Sequence, residues 1–281
     1  MMDKFEILTP SINIKGHDVH RIRALKDFND VHAGDLGGYI EKENNLSQDG
    51  HCWIYNDAIV YGNGKVIENA AIAGDAMISG NARITGNAIV SGNAWVYRNA
   101  NVSGNARITG YARISGNARV TKMAWVYDNA RVTENAVIYG DAEIYGDSKI
   151  YGRASISGNA EIYDNAKIYG DAEITDNVTV AGCAWVCGNV RMLGNVKIQG
   201  NARISSNSDY ATINGFNNIC RNTAFYTCEN DILKVTCGSF IGTIPEFREY
   251  VSKTHILQMA EEYLLIADLM EYHFENLRRF G

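Results

Sequence analysis

Ile78-Ser79-Gly80-Asn81-Ala82-Arg83-Ile84-Thr85-Gly86-Asn87-Ala88-Ile89-Val90 runs through one six-residue unit twice, and the register it sets holds far in both directions. Ile or Val recurs at every sixth position from Ile54 to Ile204, with Met192 the single departure. Two residues before each of these there is usually a small residue, most often Ala, and before that often Gly-Asn or Gly-Asp, as in Gly86-Asn87 and Gly170-Asp171. Ala-x-Ile-x alternates with period two, so it reads as a short strand with Ala and Ile on one face. Gly-Asn is turn chemistry, since both residues tolerate positive φ. A short strand and a sharp corner, repeated, wind the chain into a coil whose apolar side is buried only when coils stack. Each buried Ile or Val then contributes roughly 1.5–3 kcal/mol. Ala fits where the inside of a corner has little room.

The unit Ile-x-Gly-Asn-Ala-x resembles the hexapeptide repeat of left-handed parallel β-helix proteins, in which three hexads make one triangular turn. That family includes acyltransferases and the γ-class carbonic anhydrases. The resemblance implies an all-β solenoid of about nine triangular coils over residues 52–208 and supplies its left hand, which spacing alone does not show. An N-terminal cap is expected over residues 1–51, read from His20 to Phe28 and Gly34-Asp35-Leu36-Gly37-Gly38 as short strands with turns. Over 209–281 the runs Thr223–Thr227 and Ile232–Thr236 suggest a hairpin. Thr243-Ile244-Pro245-Glu246 is a capping-box pattern that opens a short helix. A longer amphipathic helix is predicted over 255–278, with Ile256, Ala260, Tyr263, Leu264, Ala267, Met270 and Phe274 near one face, folding back as a cap or meeting a partner. These ends resemble uncharacterised, transferase-like hexapeptide-repeat proteins of bacteria and their phages.

Composition narrows the classes. The net charge of −6 gives no global attraction to nucleic acid, though a local basic patch is compatible with it. No stretch of 18 apolar residues and no leader pattern appear, so no membrane span and a cytoplasmic location are expected. The six cysteines (Cys52, Cys183, Cys187, Cys220, Cys228 and Cys237) are scattered and read as reduced thiols, with no zinc site expected.

Members of the resembled family imply catalysis by a His base, or metal held by three His. Here the six His are His17, His20, His32, His51, His255 and His273, none between residues 52 and 254. The coil therefore lacks the side chain best suited to proton transfer near neutral pH. No catalytic residue, metal or cofactor is assigned. The leading reading is a non-catalytic binding or scaffold protein acting through its flat faces, in one form a phage-type inhibitor. The alternative is a hexapeptide-repeat acyltransferase using acetyl-CoA.

With three hexads per turn, residues 18 apart stack. One outward column reads Ile59, Met77, Trp95, Arg113, Arg131, Lys149, Lys167, Trp185, Arg203, beside Tyr97, Tyr151 and Tyr169. Four consecutive basic rungs bracketed by Trp suit an anionic ligand, with Arg and Lys on phosphates and rings on bases, or a protein partner, or plain surface. The candidate ligand or partner residues are Trp95, Tyr97, Arg113, Arg131, Lys149, Tyr151, Lys167, Tyr169 and Trp185. A second face carries Trp53, Trp125, Tyr127, Tyr145 and Tyr163 and reads as an oligomer or partner surface. The partners expected are a second or third copy of the chain (a homo-oligomer, dimer or trimer) and a protein, nucleotide or nucleic-acid ligand.

Overall fold

The structure is a computed structural model that describes residues 3–214 and 222–280. Two-residue strands recur every six residues, from Trp53–Ile54 to Arg203–Ile204. Each pairs in parallel with the strand 18 positions away, as Arg131 does with Lys149 and Val132 with Ile150. The result is a three-walled β-solenoid. Among the described residues its walls are sheets of 13, 9 and 8 strands, here named after Arg131, Trp125 and Arg119, and the 9-stranded wall has one strand in each turn.

The hexad explains each feature. Ile84, Val102 and Ile138 are fully buried, as are Ala82, Ala100 and Ala136 two residues earlier. At the corners φ is positive. Gly116 (φ 71°) shows why Gly is favoured there, since a Cβ at this position would lie 2.6 Å from the Glu134 backbone nitrogen one turn on. Glu134 itself sits at φ 61° with a side chain. Its carboxylate accepts the Gly152 N–H one turn later at 2.9 Å, and Glu68 on Gly86 and Asp176 on Gly194 do the same. That charge-assisted bond offsets part of the strain of a left-handed conformation. Beside the corners, Asn side chains bond one another from turn to turn, Asn81 to Asn99 to Asn117 to Asn135 at 2.9–3.1 Å.

The solenoid begins earlier than residue 52. Leu36–Ile40 pairs in parallel with Ile59–Val60, and Leu46 bridges Val66. The hexad reading missed this turn because eight residues, not six, separate Leu46 from Ile54. Gly37 and Gly38 are required here, since a Cβ on Gly37 would stand 2.6 Å from the Trp53 ring and one on Gly38 2.4 Å from the Ala58 carbonyl oxygen. Leu36–Ile40 also pairs antiparallel with His17–Ala24, which pairs antiparallel with Phe5–Ile7, so the cap continues the Arg131 wall.

At the other end Tyr210–Asn214, Asn222–Thr227, Leu233–Cys237 and Phe240–Thr243 form an antiparallel sheet, so the expected hairpin is the middle of a four-stranded meander. Tyr226 is buried in the solenoid core, and the Thr236 hydroxyl donates to the Lys197 carbonyl at 2.7 Å, closing the last turn. α1 (Ile244–Thr254) starts where the capping box placed it, with the Glu246 carboxylate accepting from the Thr243 N–H and hydroxyl at 2.7 and 2.9 Å. α2 (Leu257–Phe280) packs Ala260, Tyr263, Ile266, Ala267 and Phe274 against α1 and this sheet in a second, separate core. Ile256 lies outside that core and is exposed, because the helix begins one residue after it. No helix among the described residues is long and apolar enough to cross a membrane.

Two expectations need correction. Trp53 does not face a partner. It is 2% exposed, packed by Phe28 at 5.4 Å and Phe5 at 6.5 Å between ring centroids, because the cap folds over the first turn of its wall. Cys237 is disulfide-bonded, whereas Cys52, Cys183, Cys187 and Cys228 are free. Cys220 lies outside the described residues.

Candidate functional site

The Arg131 wall brings Trp95, Arg113, Arg131, Lys149, Lys167, Trp185 and Arg203 into one column of directly paired rungs, in the order read from the sequence. Arg113, Arg131 and Lys149 are exposed and Lys167 is half-buried. None of the four forms an ion pair among the described residues. The ion pairs that involve the coiled region are Arg21–Asp57, Arg153–Asp171, Arg191–Glu173 and Arg203–Glu229 among the described residues. Arg131, Lys149, Lys167 and Trp185 line a shallow groove of about 400 Å³, with the corner residues Asn129, Asp147 and Asn165 along its edge. Beside it Tyr151 and Tyr169 stack at 4.9 Å, nearly coplanar in orientation at 2°. The Tyr169 hydroxyl is pushed up to about 12, first by its hydrogen bond with Cys187 and then by burial, so it stays protonated at neutral pH.

The bracketing Trp residues are not open platforms. Lys167 Nζ lies 4.4 Å and the Arg203 guanidinium 3.9 Å from the Trp185 ring centre, while Arg203 also pairs with Glu229 at 2.9 Å. Rungs lie about 4.8 Å apart, so a ring standing on one is within reach of long cations on the next. A ligand that stacks on Trp185 must displace one of them. Trp95 is tied down in the same way. Its indole N–H donates to the Ser79 hydroxyl at 3.2 Å, Tyr97 packs at 4.6 Å, and Lys15 lies 4.1 Å above the ring.

Lys15 belongs to the turn between Ile12–Ile14 and His17–Ala24, a hairpin laid across the start of this wall. The same hairpin carries His17, whose ring packs on Tyr61 at 4.7 Å and whose Nδ1 lies 2.9 Å from Glu41. The other Glu41 oxygen accepts the Gly62 N–H, and the His17 hydrogen bond holds this carboxyl below its ordinary range, with burial opposing. The result is an imidazole oriented by a carboxylate, over hexads that carry no His from residue 52 to residue 208. Sequence spacing groups His17 with His20 as a candidate part of a metal site and leaves open whether cap histidines complete a site, but it does not reveal the pairing with Glu41. The available signal was that His17 sits in a strand that extends the same sheet. His20, three residues on in that strand and therefore on its other face, bonds the Leu8 carbonyl at 3.0 Å instead.

The Trp125 wall brings together the second set. Trp125 and Tyr127 pack at 4.5 Å, and Tyr127, Tyr145 and Tyr163 form a stacked ladder at 4.7 and 4.9 Å. The Tyr127 hydroxyl donates to Glu143 at 3.2 Å. Trp53 belongs to this wall by register, but it is enclosed by the cap as described.

A family model described as the YdcK β-solenoid repeat matches residues 76–92, 82–98, 112–126 and 124–140. A protein of Escherichia coli (strain K12), titled an uncharacterized acetyltransferase YdcK, is 46% identical over 52 residues, which is 18% of this chain and 16% of that protein. The chain thus matches a small part of that relative's length. Among solved structures, a Francisella novicida UDP-N-acetylglucosamine acyltransferase is 13% identical, with a TM-score of 0.32 over 83% of this chain and 86% of that one. At that score the likeness carries no argument. The coiled region is a hexapeptide-repeat β-helix, and its hexads within residues 76–98 and 112–140 match the YdcK β-solenoid repeat.

Proposed function

We propose that the chain is a binding protein whose Arg131 wall receives a phosphate-bearing ligand, a nucleotide or a single strand of nucleic acid. The observation that carries this reading is the set of four consecutive basic rungs that form no ion pair among the described residues. Like charges directly opposite one another in a sheet repel. The hexad does not require them, because the equivalent outward position on the Trp125 wall holds Ile89, Glu143 or Thr179. An anion laid along the column would turn that repulsion into attraction, and Arg would bind phosphate oxygens in forked pairs.

The test is anisotropy of a labelled single-stranded oligonucleotide and of a labelled nucleoside triphosphate, at about 50 and about 200 mM salt. Binding that weakens with salt and vanishes in Arg131→Glu with Lys149→Glu, at an unchanged melting temperature, supports the reading. No binding by the unaltered protein, or equal binding by the double variant, removes it.

A second reading is favoured by the acetyltransferase title of the E. coli relative and by the His17–Glu41 pair. A base held by a carboxylate is the arrangement general-base acyl transfer uses. On this reading His17 would take the proton of the acceptor as it attacks the acetyl carbonyl of acetyl-CoA, and would return it to the CoA sulfur as the C–S bond breaks and CoA leaves as the thiol. Calorimetric binding of acetyl-CoA, with acetyl transfer lost in His17→Ala and in Glu41→Gln, would support it. Absence of acetyl-CoA binding at millimolar ligand would dismiss it.

A further inference from the structure

We propose that Lys4 and Cys52 are a peroxide-driven modification site, forming a covalent N–O–S bridge that fastens the N-terminal strand to the first turn of the solenoid. Lys4 Nζ lies 3.2 Å from Cys52 Sγ. Both residues are enclosed, at 1% and 0% exposure. The amine's other donors go to the carbonyls of Cys52 at 3.1 Å and Asp49 at 3.4 Å. Lys4 forms no ion pair with a carboxylate among the described residues, and Phe28 lies beside it, its ring centre 5.4 Å from Nζ. A lysine enclosed without a counter-charge is unusual, because burying an ammonium is costly. Burial pushes the Lys4 ammonium down and the Cys52 thiol up, with their mutual hydrogen bond opposing both shifts. A groove lined by Phe28, Gln48 and Asp49, neighbours of the pair, opens at this end, and Gln48 accepts the Lys4 backbone N–H at 2.7 Å. Both groups are closed to solvent in the folded chain, so peroxide reaches the sulfur when the N-terminal strand parts from the first turn.

The chemistry closes with two peroxide molecules. In the first step Sγ attacks one peroxide oxygen, an S–O bond forms, the O–O bond breaks, and the thiol proton passes through the Lys4 amine to the leaving hydroxide. The products are a sulfenic acid and water. In the second step another peroxide oxidises the sulfenic acid and amine together. The N–O bond forms, one N–H and the sulfenic O–H break, and two waters leave. The pair has gained one oxygen and lost two hydrogens. Because the inserted oxygen spans part of the 3.2 Å separation, the backbone moves less than a direct N–S bond would demand. The bridge joins residues 48 apart in sequence and pins the strand that borders the open end of the solenoid.

The experiment treats the full chain with hydrogen peroxide, raised until the exposed Cys183 is oxidised, followed by proteolysis without reductant and mass spectrometry. The expected product joins the peptide of Lys4 to that of Cys52, heavier by one oxygen and lighter by two hydrogens. It separates on treatment with dithiothreitol and is absent from Cys52→Ser and Lys4→Arg. The melting temperature of the unaltered chain rises on oxidation and returns on reduction. Recovery of Cys52 as free thiol or as sulfinic acid, with the Lys4 peptide unjoined while Cys183 is oxidised, overturns the proposal.

Discussion

The Arg131 and Trp125 walls are built from the same hexad, share one core and both stack tyrosines, yet they carry opposite charge on their central rungs. On the Arg131 wall, cations follow cations from Arg113 to Lys167 and none forms an ion pair among the described residues. On the Trp125 wall, the two adjacent acids Glu143 and Glu161 stand beside a tyrosine ladder, and Tyr127 donates to the first of them. The Arg119 wall pairs Glu173 with Arg191 across a rung at 2.8 Å. The inward Ile and Ala positions set the coil, so the outward positions are free to differ. A wall that leaves repulsion uncorrected is the one where an external partner has the most to offer.

The largest effect that would sharpen this contrast is charge reversal on one wall only. Arg131→Glu with Lys149→Glu should lower phosphate-ligand affinity by at least ~100-fold, about 2.7 kcal/mol, whereas Glu143→Gln with Glu161→Gln on the Trp125 wall should leave it unchanged in the same anisotropy titration. Equal losses from both pairs would break the distinction. A smaller effect is expected from Trp185→Ala, which removes the ring over which Lys167 and Arg203 lie. Affinity should fall about tenfold, about 1.4 kcal/mol, because Lys167 and Arg203 lose the ring that positions them.

The aromatic wall makes a pH prediction. Tyr145 is pushed up to about 12, first by burial and then by Glu161. Its unfolded value is near 10, so between these the folded chain holds a proton that the unfolded chain has released. Stability is therefore full below about pH 10 and declines as pH rises toward 12. Tyr145→Phe should flatten that part of the decline in melting temperature without changing ligand binding at neutral pH. Smallest of all is Glu173→Gln, which opens an exposed ion pair on the Arg119 wall and should shift stability by no more than about 0.5 kcal/mol in urea titration.

Much of this was legible before any coordinates. Spacing by six named the buried row, and spacing by 18 placed Arg113, Arg131, Lys149 and Lys167 in one column, because a solenoid makes tertiary neighbours out of a local period. Turn chemistry and the capping box likewise placed the corners and the start of α1, since both depend on residues close in sequence.

What the repeat could not convey comes from segments that have no period. That Trp53 is enclosed by Phe5 and Phe28, that Lys15 covers Trp95, that His17 meets Glu41 over Tyr61, and that Lys4 reaches Cys52 all depend on how the cap folds across the first turns. The register within the coil follows from backbone pairing repeated every turn, so the sequence by itself determined it. The contacts of the cap join residues far apart in the chain through side chains of unlike shape and charge, and only the tertiary structure decided which of them meet.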